Sequence, residues 1–212
     1  MAKSFTPSFS AFLNLQLTNS FSTADDWGEF RIEEAWLRYR YNTAFSIHIG
    51  LQIPEFNNLN TIKNRTPLLP YIVRPLAYES SFTDFVGASD FVPQHSYLRV
   101  SGTLPLPERL RFDYSVHLGN QQDFVEPSNT FTVPSGTDNS LPLMYGGRLG
   151  LRYQSIKAGF SLAADTYTED DNPLGIIDRY RLGADLSFTV KQFLFEAEWI
   201  SIQAVLSDAQ QQ

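Results

Sequence analysis

Between residues 32 and 53 the chain reads I-E-E-A-W-L-R-Y-R-Y-N-T-A-F-S-I-H-I-G-L-Q-I, with apolar and polar residues alternating through most of it. Ala35, Leu37, Tyr39 and Tyr41 form one phase, interleaved with Glu34, Trp36, Arg38 and Arg40. After Asn42-Thr43-Ala44 the alternation resumes, with Phe45, Ile47, Ile49, Leu51 and Ile53 against Ser46, His48, Gly50 and Gln52. A period of two sends successive side chains to opposite faces, so these are two β-strands, each with one apolar and one polar face. A three-residue turn between them pairs Tyr39 with Ile47, Leu37 with Ile49 and Ala35 with Leu51. The same register sets Arg38 beside His48 and Trp36 beside Gly50, so both faces match across the hairpin. Each arm holds about ten residues, the length that carries a tilted strand across a bilayer.

The remainder of the chain repeats this pattern. Strands are expected at 8–18, 35–41, 45–53, 95–104, 110–119, 146–153, 156–165, 177–189 and 192–201, nine in all. A five-residue turn at 105–109 would align Leu104 with Leu110, Val100 with Tyr114 and Thr103 with Arg111. A turn at 190–191 would set Phe188 against Phe193, Leu186 against Phe195 and Leu182 against Trp199. Long and tight connections alternate without exception along the chain. A meander with tight turns at one end and long loops at the other is the pattern of an outer-membrane β-barrel. Tyr39, Tyr41, Phe45, Tyr153, Phe188 and Phe193 sit beside the tight turns on the apolar phase, where an interfacial aromatic belt is expected. Glycines 50, 119, 150, 159 and 183 fall in the polar phase, where bulky neighbours need room. The longest connection, 54–94, carries an apolar, proline-punctuated run at 67–76 and is expected to fold into or over the lumen.

Composition narrows the function classes. The 212 residues carry a net charge of −7 and no cysteine. An acidic balance argues against general nucleic-acid binding, which needs a basic face, and the lack of cysteine removes disulfides and thiolate metal sites. Charged residues make up 18% of the chain, below the quarter or so of a typical soluble domain. No run of about eighteen apolar residues is present, which excludes a transmembrane helix and says nothing against a barrel. Motifs for nucleophilic catalysis, phosphate loops and paired catalytic carboxylates do not stand out, so no enzyme activity and no cofactor are expected.

With these segments laid out, the chain resembles the phosphate-selective porin O/P family and related bacterial outer-membrane porins. The likeness rests on E-E-A-W-L-R-Y-R-Y at 33–41, S-I-H-I-G-L-Q-I-P at 46–54, R-T-P-L-L-P at 65–70 with R-P-L at 74–76, and S-G-T-L-P-L at 101–106. It extends loosely over residues 8–203. The resemblance implies a passive channel of the bacterial outer membrane for small hydrophilic solutes, anionic ones among them, with inward loops narrowing the pore. Members of that family are much longer, and an odd strand count leaves a barrel without an antiparallel seam. Residues 1–212 are therefore expected to be a single porin-like domain forming an incomplete barrel, truncated at its C-terminal side. Expected partners are outer-membrane lipid and the solutes, and homo-oligomerisation is compatible with such a wall.

The polar phase supplies the candidate pore lining: Arg38, Arg40, Arg99, Arg111, Arg148, Arg152, Lys157, Arg179 and Arg181, with Glu34, Asp113, Asp185, Glu196 and Glu198. Asp165 belongs to the same phase. One reading is a basic lumen that attracts anions. The other is mutual neutralisation across strands, for instance Arg181 with Glu198 on a diagonal. His48, His95 and His117 show no ligand spacing, so they read as polar lining rather than a metal site. Asp25-Asp26 and Glu169-Asp170-Asp171 read as solvated loop charge. The alternative from another class is a soluble β-sandwich or small barrel that binds a ligand or partner, its apolar faces turned inward.

Overall fold

A computed structural model describes residues 2–4, 6–18, 29–62, 92–93, 95–120, 143–168 and 176–206. The elements there are β1 (Ala2–Ser4), β2 (Phe9–Thr18), β3 (Glu29–Arg40), β4 (Ser46–Gln52), β5 (Ser96–Pro105), β6 (Leu110–Asn120), β7 (Leu143–Tyr153), β8 (Ile156–Thr168), β9 (Ile176–Val190) and β10 (Phe193–Leu206). They form one sheet in strict chain order, every neighbour antiparallel. The protein is an all-β, up-and-down meander. All nine strands expected from the alternation are present. The tenth, β1, is three residues long and pairs with Ser10–Phe12 through a turn closed by Thr6 and Phe9. Among the described residues β1 and β10 each have a neighbour on one side only, so the sheet is open.

The β3–β4 register is the one the alternation implies, with Tyr39 opposite Ile47, Arg38 opposite His48 and Trp36 opposite Gly50. Two other hairpins differ from expectation by two residues. In β5–β6 the last pair is Pro105 with Arg111, and Leu106 N–H donates to the carbonyl of Leu110. The intervening Pro107–Arg109 turn holds Glu108 and Arg109 at φ 59° and 66°, a left-handed pair that tightens the link. Val100 therefore faces Val116, and Thr103 faces Asp113. In β9–β10 the turn is Lys191–Gln192, with Lys191 at φ 54°, so Val190 faces Phe193 and Phe188 faces Phe195. A shift of two keeps every side chain on its face, because the strand period is two. It changes only who meets whom.

Bulges account for two local breaks in the pattern. Ile32 and Ala35 point to the same side although three residues apart, because the β2–β3 register shifts between Asn14 and Leu15 and leaves Glu33 unopposed. In β4 the register against β5 shifts between Ile49 and Gln52. Gly50 lies in that interval at φ 121°, and a Cβ there would strike the carbonyl of Ala35. The requirement at position 50 is thus backbone conformation, not the room for Trp36 that its place opposite that residue suggested.

The polarity of the two faces is inverted relative to a water-soluble protein. Gln52, Ser96, Ser161 and Arg181 are 0% exposed, whereas Leu37 and Ile49 are each 62% exposed. Val116, Leu149, Phe160, Phe195 and Trp199 are exposed on the same outer face. No second layer covers that face among the described residues, so the sandwich alternative is not the architecture that forms. The tight-turn end of the outer face carries Tyr39, Tyr41, Phe45, Tyr153 and Phe193, all exposed. Phe9 joins them by packing on Tyr39 at 4.8 Å, and Phe188 stacks on Phe195 at 4.8 Å.

Candidate functional site

The buried polar face is the site, and its character follows from how far the sheet rolls. Beyond Gln52 the chain leaves the wall, and Asn57 lies over Gly183 of β9 and bonds to β8 and β10. Five residue steps reach at most about 18 Å, while five strand spacings along a flat sheet are about 24 Å. Contact between Asn57 and β9 therefore requires the sheet to curl with its polar side concave. The concave side is the polar face of the sheet, and residues 53–62 form a strap across it.

Along the wall, most charges are matched. Arg148 holds Asp185 with both Nε and Nη2, at 3.0 and 2.6 Å. This pair lies across Gly159, whose missing side chain leaves the space. Arg152 pairs with Asp113, which also accepts from Thr103 Oγ1 at 2.6 Å. Asp165 receives Arg179 at 2.9 and 2.7 Å and Arg181 at 3.0 Å, and all three side chains are buried. Arg181 is thus bound to Asp165 on the neighbouring strand, and the shifted β9–β10 register sets Ile202 opposite Arg181 and Asp185 opposite Glu198. On the β2–β5 side, Arg38 Nε donates to Ser10 Oγ at 2.9 Å. Arg99 Nη2 lies 2.8 Å from His48 Nδ1, and its Nη1 lies 3.5 Å from Glu55. A guanidinium can only donate, so His48 Nδ1 is the acceptor there. Glu34 is buried and accepts from Trp36 Nε1 at 3.2 Å. Trp36 is stacked between Phe12 and His48, at 5.1 and 4.8 Å.

The candidate cations separate by depth. Arg40, Arg111 and Lys157 are exposed and lie within two residues of the tight turns, so they form a basic rim. The arginines farther from the turns, and Arg152 level with Arg111 and Lys157, are engaged as described. Both readings of the lumen charge thus have a location: neutralisation along the wall and a positive rim at the tight-turn end. His117 is 1% exposed, and neither of its ring nitrogens has a hydrogen-bond partner among the described residues. Ser115 Oγ, also buried, is in the same position. Among the described residues, no three His, Cys, Asp or Glu side chains gather as metal ligands would.

Comparison with protein-family models and with curated proteins finds no match.

The strap is where sequence reasoning was thinnest. Glu196 and Glu198, expected as pore-lining charges, bond to it. Glu198 Oε1 accepts the backbone N–H of Asn58 at 2.9 Å and of Leu59 at 2.8 Å. Glu196 Oε1 accepts from Asn58 Nδ2 at 3.2 Å. Asn57 donates its N–H to Ser161 Oγ at 2.9 Å and its Nδ2 to the carbonyl of Trp199 at 3.3 Å. The side chain of Asn57 occupies the space over Gly183, where any Cβ would collide with it. At the root, Asn60 Nδ2 donates to the carbonyls of both Pro54 and Pro93, tying the departing chain to the returning one. Ile53, Phe56, Leu59 and Val92 are buried apolar residues of this crossing. The one available sequence signal is N-N-L-N at 57–60, since Asn tolerates the left-handed φ of 53° found at Asn57. The apolar run at 67–76 and the acidic clusters at 25–26 and 169–171 lie outside the described residues.

Proposed function

We propose that this chain forms the wall of a porin-like channel in the bacterial outer membrane, through which small hydrophilic solutes diffuse passively. The observation that carries this reading is the inverted sheet. Soluble monomers rarely expose continuous apolar patches beyond a few hundred Å², yet here Leu, Ile, Val, Phe, Tyr and Trp dominate the outer face while Arg, Asp, Gln and Ser are buried on the other. A hydrocarbon surround makes both choices favourable at once. The outer face meets lipid, the aromatic belt sits at the interface, and the charged interior is hydrated. Buried polar atoms with no protein partner, such as those of His117 and Ser115, suit a lumen that holds water or solute.

A membrane also dictates what becomes of the sheet edges. Each unpaired N–H or C=O in hydrocarbon costs several kcal/mol, so the outer edges of β1 and β10 must be paired in the bilayer. With ten strands the two run antiparallel, so either can meet the other or an added antiparallel strand without a parallel seam. Anion preference is assigned to the rim of Arg40, Arg111 and Lys157, because Arg148, Arg152, Arg179 and Arg181 on the wall already hold carboxylates. Transverse fields of this kind act on permeating ions.

Reconstitution tests both parts. Protein purified in detergent from its native membrane should make liposomes swell in small neutral sugars and amino acids, and not in large oligosaccharides. Its reversal potential in a KCl gradient should favour chloride, and the double substitution Arg111→Glu and Lys157→Glu should move it towards potassium. Liposomes that stay impermeable to every solute would refute the channel. A reversal potential unmoved by the double substitution would leave a channel whose selectivity lies elsewhere.

A further inference from the structure

The strap bonds to three wall strands, yet its contacts with them are unequal. Asn57 is held by neutral hydrogen bonds to Ser161 and to the Trp199 carbonyl. The next two backbone N–H groups converge on a single carboxylate oxygen, Glu198 Oε1, at 2.9 and 2.8 Å. The left-handed φ of Asn57 turns successive N–H groups to one side, the arrangement that makes a small anion-holding concavity from backbone alone. Bonds to an ionised acceptor are roughly twice as strong as neutral ones. The root of the strap is fixed separately, by Asn60 bridging Pro54 and Pro93 and by the buried Phe56 and Val92.

We propose that Glu198 is the latch of this strap: its carboxylate holds the backbone at Asn58 and Leu59 against β10, and through that grip it sets the width of the passage. It is a positioning residue, acting on solutes through the strap and not as a charge in their path. The proposal deepens the channel reading and rests on it for the word passage, but the grip itself is a property of the chain. Glu196 adds one side-chain contact to Asn58, which leaves the backbone donors untouched and makes it the natural control.

Two measurements separate the latch from the channel. Glu198→Gln preserves shape and an acceptor oxygen but removes the charge. In detergent or nanodiscs, hydrogen exchange at the amides of Asn58 and Leu59 should quicken about tenfold or more, the factor expected from losing a charged hydrogen bond. Amides of β8 and β9 should keep their protection, and Glu196→Gln should leave the Asn58 and Leu59 amides as they are. In bilayers the same variant should raise single-channel conductance and admit larger sugars. A second protein, with Asn58→Cys and Glu196→Cys joined by a short, reducible bis-methanethiosulfonate crosslinker, ties the strap to β10 by another route. In that tethered background Glu198→Gln should change conductance only after reduction, and the comparison also serves if the single variant does not fold. Unchanged exchange at Asn58 and Leu59 would overturn the latch whatever the conductance does. Equal conductance changes with the tether intact and reduced would also overturn it, making Glu198 a lumen charge. Quickened exchange in a protein that passes no solute in any form would sustain the latch and refute the channel reading.

Discussion

Replacing Ile49 by arginine, and separately Tyr41 by arginine, asks directly what surrounds the outer face. Both positions are open to the surroundings, Ile49 at 62% and Tyr41 at 73% exposure. In water, substitutions at such sites change stability by no more than about 0.5 kcal/mol either way. In a bilayer the two must differ, because they lie at different depths. Four residues at about 3.4 Å each, on a strand tilted about 40°, put Ile49 roughly 10 Å from the level of Tyr41 and Phe45. Half of an apolar band about 25 Å tall is about 12 Å, so Ile49 sits near the midplane and Tyr41 in the aromatic belt. Arginine costs about 2–4 kcal/mol at the midplane of a barrel's lipid face and about 0–1 kcal/mol near the interface. Ile49→Arg should therefore be the more destabilising by at least about 1 kcal/mol. Urea titrations of both variants in lipid vesicles, followed by tryptophan fluorescence, give the difference from the midpoints and slopes. Equal, small effects at the two positions would remove the case for a lipid-facing sheet.

Other predictions follow from the interior. Asp165→Ala removes the buried carboxylate that Arg179 and Arg181 share and should cost roughly 3–5 kcal/mol in the same titration, whereas Asp113→Ala, whose partner Arg152 is 37% exposed, should cost about 1 kcal/mol or less. Gly50→Ala forces a side chain onto a φ of 121° and against the Ala35 carbonyl, and should destabilise by about 1–3 kcal/mol. Asn60→Ala unties the root of the strap from both Pro54 and Pro93; protease cleavage between residues 54 and 62 should accelerate while cleavage elsewhere stays as it was.

Strand number, strand order and the identity of each face were legible because period-two alternation is a local property that every strand displays. Ile47, Ile49 and Leu51 announce their side of the sheet without reference to anything distant. Register was legible only where the turn was unambiguous. Asn42-Thr43-Ala44 fixed β3 on β4, but the turn at Pro107–Arg109 adopts left-handed residues that no glycine or asparagine advertises, and β5 slid by two against β6. That slip decided a pairing: Thr103 rather than Ser101 meets Asp113. The short β1 shows no alternation of its own and was invisible for that reason. The strap was least legible, since Asn57, Asn58 and Asn60 look like an ordinary polar turn, and their partners on β8 and β10 are dictated by the curl of the whole sheet. Alternation gives a side chain's direction, not what crosses the space in front of it.

The same strap orders events in time. Every ladder in the sheet joins strands adjacent in the chain, so the wall can grow hairpin by hairpin, with no closure longer than the connection from Gln52 to Ser96. The strap's bonds to Ser161 and Trp199 join residues 104 and 142 positions apart, and their closure entropy is repaid only when β8, β9 and β10 already stand in place. The crossing must therefore settle after the wall is nearly whole, so the sheet passes through a form whose polar face is uncrossed on its way to the native one. Covering that face is the last step of its folding.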